Sequence, residues 1–173
     1  MGNKVYLRWY LAALTISLGL LAIAYFYFQK QLGLFPCPLC MLQRACLVSV
    51  AVFALLGIVK RPGVRLHRFY AFMISLCTSA GVVTAGRQVW LQGLPKDQVP
   101  ECGFDPIYRW GQDGDYGLLD MLATTLKGSG DCAEIDWAFL GLSMAAWMLI
   151  IFSAMTLMAL NLLFRKRSKL VIY

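Results

Sequence analysis

Four apolar runs, near residues 9–28, 41–59, 69–91 and 137–164, constrain this chain of 173 residues more than any other feature. Each is close to or above the roughly 20 residues a helix needs to cross the hydrocarbon core of a bilayer. Lipid offers backbone N–H and C=O groups no partners, so a spanning segment must satisfy them as a helix or in a closed barrel. The runs are rich in Leu, Ala, Phe and Met and lack the alternation of barrel strands, which selects helices. A chain that is 60% hydrophobic and only 14% charged is also too apolar for a water-soluble domain of this length. The expected fold is an all-α membrane protein, a four-helix transmembrane bundle forming a single domain over 1–173. Loops near 29–40 and 92–136 connect spans 1 to 2 and 3 to 4.

The distribution of charge orients this bundle. All nine acidic residues fall between Asp97 and Asp136, in a loop that carries only Lys96, Arg109 and Lys127 as basic residues. That loop is net −6 and the rest of the chain +13. Basic clusters at Lys4 and Arg8, at Lys60, Arg61, Arg65 and Arg68, and at Arg165, Lys166, Arg167 and Lys169 would share one face of a four-span protein. The positive-inside rule makes that face cytoplasmic, with both termini on it and the 29–40 and acidic loops on the other side. These clusters read as juxtamembrane anchors rather than a nucleic-acid surface. Ala22-Ile23-Ala24 has a small-X-small pattern like a signal-peptidase site. The run from Trp9 to Phe28 outlasts the usual signal h-region, however, and ends in an interfacial aromatic cluster, Tyr25 to Phe28, so it is read as a retained span.

The six cysteines sort by position. Cys46 and Cys77 lie inside spans 2 and 3, where cysteine behaves as a small hydrophobe. Cys37 and Cys40, in "PCPLC", open span 2, and Cys102 and Cys132 lie in the acidic loop, so four cysteines face the side where disulfides persist. A Cys102–Cys132 staple would close a long loop and contribute about 3 kcal/mol in the chain-entropy model. A Cys37–Cys40 disulfide closes almost no loop and suits electron exchange better. On spacing alone a four-cysteine zinc site competes, although the second pair is far apart and His67, the only histidine, lies in the cytoplasmic loop as a solvated or headgroup-facing residue.

Pro36 and Pro38 place the start of span 2 at Cys37 or Pro38, so both cysteines meet the positive end of a helix, which favours the thiolate. Arg44, at i+4 from Cys40, shares its helical face about 6 Å further along. Arg87 stands at the outer end of span 3 in the same leaflet, followed by Gln88 and Trp90. Two readings of the arginines are open: independent snorkelling to the interface, or a shared polar ligand site at lipid depth beside a thiolate. A quinone head group, with an apolar tail and two carbonyl acceptors, meets the second description.

Within the acidic loop, Tyr116, Leu118, Leu119, Met121, Leu122 and Leu126 favour one side of a short helix, lying on the membrane surface or packing as a small loop core. Gly128-Ser129-Gly130 gives a turn before Cys132, and Asp131 with Glu134 has the spacing of a capping box opening span 4. Cys102, flanked by Pro100, Gly103 and Pro106, is expected in exposed loop backbone.

Four spans, "PCPLCMLQR" opening the second, a long loop between spans 3 and 4, and "SGDCAEIDWAFLG" leading into the fourth resemble the bacterial inner-membrane disulfide-bond formation family DsbB over essentially the whole chain. The resemblance implies that a reduced DsbA-like periplasmic thioredoxin-fold protein attacks Cys102 of a Cys102–Cys132 disulfide. Cys132 then passes electrons to Cys37, and Cys40 faces ubiquinone or menaquinone as a thiolate forming a charge-transfer adduct, with Arg44 orienting it. It places the redox cysteines in the periplasm. Helix-end reasoning favours Cys37 as the more acidic thiol, whereas the family and Arg44 favour Cys40. Some members have a histidine near the outer end of span 3; "GRQVWLQGLPK" has none, so that role is unfilled or passes to Arg87. Two alternatives accompany this reading. In a vitamin K epoxide reductase-like enzyme the Cys-X-X-Cys follows the loop cysteines, whereas here it precedes them. The other is a non-catalytic tetraspan scaffold with a disulfide- or zinc-stapled outer loop.

Overall fold

A computed structural model of the chain describes residues 2–60, 64–95, 98–99, 123, 125–126, 128 and 130–164. Helix α1 runs from Gly2 to Ala22 and continues as a π-helical segment, Ile23–Gln31; α2 spans Pro38–Val59, α3 spans Val64–Gln92 and α4 spans Met144–Phe164. A 3₁₀ turn, Gly130–Cys132, and a two-stranded hairpin, β1 (Ala138–Phe139) and β2 (Leu142–Ser143), precede α4. Within these elements Tyr6–Gln31, Pro38–Val59, Leu66–Gln92 and Met144–Phe164 are long and apolar enough to cross a membrane. The 22 residues of α2 rise about 33 Å, matching a hydrocarbon core of about 30 Å. The protein is thus a four-helix transmembrane bundle.

Packing is uneven around the bundle. Helix α3 lies against both α2 and α4, and α2 against α1, whereas α1 and α4 touch at few points. Close approach of α3 and α4 is set by Gly81, where an added Cβ would stand 2.4 Å from the Phe152 ring. Gly57 plays the same part on α2 beneath the Tyr10 ring. Small residues serve this purpose in membranes because lipid supplies no hydrophobic drive and association depends on van der Waals fit. The buried hydroxyls of Thr78 and Thr84 bond back to their own helix, Thr78 to the carbonyls of Ile74 and Ser75 and Thr84 to that of Gly81. The core has a large cluster around Tyr10, Val50, Ile74 and Met155, a middle group around Leu47 and Phe152, and a small group of Cys37, Leu39, Leu91 and Cys132 at the end where α2 begins.

Three expectations change. The fourth helix begins at Met144, because the apolar stretch before it forms the β1–β2 hairpin, pairing Ala138 with Ser143 and Phe139 with Leu142. Its two-residue turn has Leu140 at φ 53° and Gly141 at φ 78°, the left-handed pair a tight hairpin requires. Asp131 and Glu134 therefore do not open that helix. Ser143 does so instead: its Oγ accepts the Ala146 N–H at 3.3 Å and donates to Gln92 Oε1 at 2.6 Å. His67 is not solvated. Helix α3 starts at Val64, earlier than the apolar run suggested, which draws His67 into the bundle at 5% exposure. There its Nδ1 meets the Tyr10 hydroxyl at 2.7 Å and its ring stands edge-on to Tyr6 at 4.2 Å.

Candidate dithiol and ligand site

The site is built at the start of α2. Pro38 occupies the first helical position, where its missing N–H costs nothing, and Cys37 is the N-cap with extended backbone (φ −67°, ψ 164°). The next turn brings Cys40 round so that the two sulfurs lie 3.3 Å apart. Cys132 arrives from the loop on the Gly130–Cys132 turn and is fully buried with Cys37, Leu39 and Leu91. Gly128 makes this possible: its φ of +79° turns the chain, and a Cβ there would stand 2.4 Å from Leu91. Cys37 thus has a sulfur on each side. Hydrogen bonding to Cys132, then to Cys40, together with burial, holds its proton well above the usual thiol range.

Two glutamines complete the group around Cys40. Gln88 of α3 brings its Nε2 to 3.4 Å from the Cys40 sulfur and 3.7 Å from that of Cys37. Its Oε1 accepts the Gln43 Nε2–H at 2.9 Å. Both amides are buried, Gln43 at 3% exposure and Gln88 at 6%. Arg44 does not reach for water. Its Nη1 donates to Gln29 Oε1 at 3.0 Å and its Nη2 to the Ala24 carbonyl at 3.1 Å, so the guanidinium is clamped onto the π-helical part of α1. π-Helical turns are rare and are frequent at functional sites.

Two cavities meet at this group. The first, of about 310 Å³, lies at the seam between α1 and α4; Leu20, Ala24, Trp147 and Ile151 contribute apolar wall, and Cys40, Gln43 and Arg44 also line it. The hairpin helps to close it, because Trp137 stacks on Phe139 with centroids 5.9 Å apart and meets Phe28 edge-on at 5.1 Å. The second, of about 350 Å³, is bordered by Asp131, Glu134 and Asp136 and reaches Cys37, Cys40 and Gln88. Cys40 and Arg44 line both.

Of the residues singled out in the sequence, Cys37, Cys40 and Cys132 come together and Arg44 joins them at the cavities. Arg87 lies apart from this group. Its Nε donates to the Leu126 carbonyl at 3.2 Å, its guanidinium lies 4.2 Å from the Trp90 ring centre, and it lines neither cavity. Cys102 lies outside the described residues. So does most of the short helix expected over 116–126, of which Ala123, Thr125 and Leu126 are helical. Gln29, Gln43 and Gln88 were not picked out as site residues. The available signal was an uncharged amide in or beside each of the first three apolar spans, with Gln43 one turn beyond Cys40 and adjacent to Arg44.

Fold and site together define a multi-pass membrane protein with a buried dithiol at the end of one span. The family described as disulfide bond formation protein DsbB matches residues 7–162, and the chain belongs to that family. It is 40% identical over 158 residues to disulfide bond formation protein B of Marinobacter nauticus, covering 88% of this chain and 89% of that protein. It is 42% identical over 143 residues to the protein of that name from Methylococcus capsulatus (83% and 85% covered), and 42% identical over 140 residues to that of Acinetobacter baumannii (80% of each). Membership makes it a membrane disulfide-bond formation protein.

Proposed function

We propose that the protein reoxidises a DsbA-like periplasmic thioredoxin-fold protein and passes the electrons through Cys102–Cys132 and Cys37–Cys40 to a membrane quinone, ubiquinone or menaquinone. The observation that carries this reading is the position of Cys40 and Arg44 on both cavities, one apolar and one bordered by acids. In the first exchange a partner thiolate attacks Cys102, releasing Cys132 as a thiolate; the partner's second cysteine then expels Cys102 and leaves as a disulfide. Cys132 attacks Cys37 of the Cys37–Cys40 disulfide and releases Cys40 as a thiolate. Attack of Cys102 on the Cys132–Cys37 bond restores the loop disulfide and frees Cys37, so two electrons have moved from the partner to the α2 dithiol.

The α1–α4 cavity suits a quinone by its apolar walls, which would take a prenyl tail, and by having Cys40, Gln43 and Arg44 among its lining residues, where the head group would lie. When bound, the quinone accepts two electrons and two protons. Arg44 holds positive charge beside Cys40, and its clamp on Gln29 and Ala24 fixes the guanidinium before any ligand arrives. The charge asymmetry supports a reading in which this site faces the periplasm from the bacterial inner membrane and both termini are cytoplasmic. The test is purified protein with a reduced thioredoxin-fold partner and added quinone. One quinol should form for each partner disulfide, and partner oxidation without quinone consumption would overturn the proposal.

A further inference from the structure

The α2 dithiol poses a problem of selection: two sulfurs 3.3 Å apart must divide between exchange with the loop and delivery of electrons. Arg44 does not settle this by direct contact, since its hydrogen bonds go to α1. Gln88 does touch both sulfurs, with Nε2 nearer Cys40 (3.4 Å) than Cys37 (3.7 Å). A carboxamide can point either end at a neighbour, and its Oε1, 3.7 Å from the Cys40 sulfur, would accept a thiol proton but repel a thiolate. The choice is made by Gln43, whose N–H donates to Gln88 Oε1 at 2.9 Å and so turns the Gln88 N–H toward sulfur.

We infer that Gln43 and Gln88 form an oriented carboxamide pair that directs an N–H at the Cys40 sulfur and selects it as the thiolate of the dithiol. Gln88 is the catalytic residue, touching the reacting sulfur; Gln43 is a positioning residue acting through it. The pair is buried, so its hydrogen bonds are not diluted by water, and neither amide titrates, so the selection holds across pH. The ionisable groups that share Cys40's surroundings are Cys37, Cys132 and Arg44, with Asp131, Glu134 and Asp136 around the outer cavity. The inference rests on Cys40 being the electron-delivering sulfur and explains how it is chosen over Cys37.

The experiment is peptide-resolved alkylation of the fully reduced, full-length protein across pH, in wild type, Gln88→Leu, Gln43→Leu and the double variant. Losing one hydrogen bond to a charged sulfur should cut the Cys40 alkylation rate at pH 7 by about tenfold or more and move the midpoint of its pH profile upward by about one unit or more. Gln43→Leu should lower the rate less, and should add nothing once Gln88 is already Leu. The double variant removes donor and acceptor together, the change a buried pair tolerates best, so a folded protein remains for comparison. A Gln88→Leu profile equal to wild type overturns the inference alone. An undiminished effect of Gln43→Leu in the Gln88→Leu background overturns the positioning role. Wild-type Cys37 reacting faster than Cys40 overturns the assignment of Cys40 as well.

Discussion

Arg44→Lys is the perturbation that most sharply separates charge from geometry at this site. Arg44 spreads two donors across Gln29 Oε1 at 3.0 Å and the Ala24 carbonyl at 3.1 Å, whereas an ammonium on a more flexible stem keeps the charge and loses the planar fork. A hydrogen bond from a charged donor contributes about 1.5–3 kcal/mol, so losing one of the two corresponds to about tenfold to 150-fold in ligand affinity or rate. Arg44→Met, which removes the charge as well, should lose both bonds and leave the Ala24 and Gln29 oxygens facing an apolar chain. The assay is steady-state quinone reduction with a reduced thioredoxin-fold partner at varied quinone concentration. Arg44→Lys should raise the quinone KM by about tenfold or more while retaining turnover, and Arg44→Met should lower kcat as well. Wild-type KM in Arg44→Lys would refute the role of the clamp, and wild-type behaviour in Arg44→Met would refute any role for the guanidinium.

Three further outcomes follow from the packing. Gly81→Ala should destabilise the bundle by about 1–3 kcal/mol, read as a lower Tm in detergent, because its Cβ would meet the Phe152 ring; Phe152→Leu in the same chain should restore part of the loss. Tyr10→Phe should lower stability by about 1 kcal/mol through loss of the 2.7 Å bond to His67, with quinone reduction unchanged. Arg87→Met should leave the quinone KM at the wild-type value while amide exchange across residues 125–133 quickens, since Arg87 holds the Leu126 carbonyl and lines neither cavity. A raised KM in Arg87→Met would return that residue to the ligand site.

The bundle was legible because a bilayer tolerates few backbone solutions, and twenty-residue apolar runs record the choice directly. The start of α2 was equally plain, since Pro38 fits only the first turn. Hydropathy misjudged the approach to α4 because an apolar hairpin and the end of a helix look alike in composition; Gly141, with its positive φ, was the local clue. The start of α3 was hidden because Arg65, His67 and Arg68 dilute the apolar signal in a helix that nevertheless buries His67. At the site, the grouping of Cys37, Cys40 and Arg44 was readable from spacing along one helix. Gln88 and Gln29 were not, because each reaches the group from a different helix, and the rotation of α1 and α3 about their axes is set by packing at positions such as Gly81. Arg87 shows the same limit: its place in the same leaflet did not reveal that its guanidinium would meet the Trp90 ring and the Leu126 carbonyl.

The central claim is that Cys40 delivers electrons from the dithiol to a lipid-borne acceptor. Its most direct test is a single turnover of Cys40→Ser, reconstituted with quinone and mixed with a reduced thioredoxin-fold partner, following quinone absorbance and trapped disulfides together. Quinone absorbance should stay flat, because Cys37 left without a partner thiol cannot complete the two-electron transfer, while the partner still exchanges with the loop pair. Quinol formation at the wild-type rate in Cys40→Ser would contradict the account.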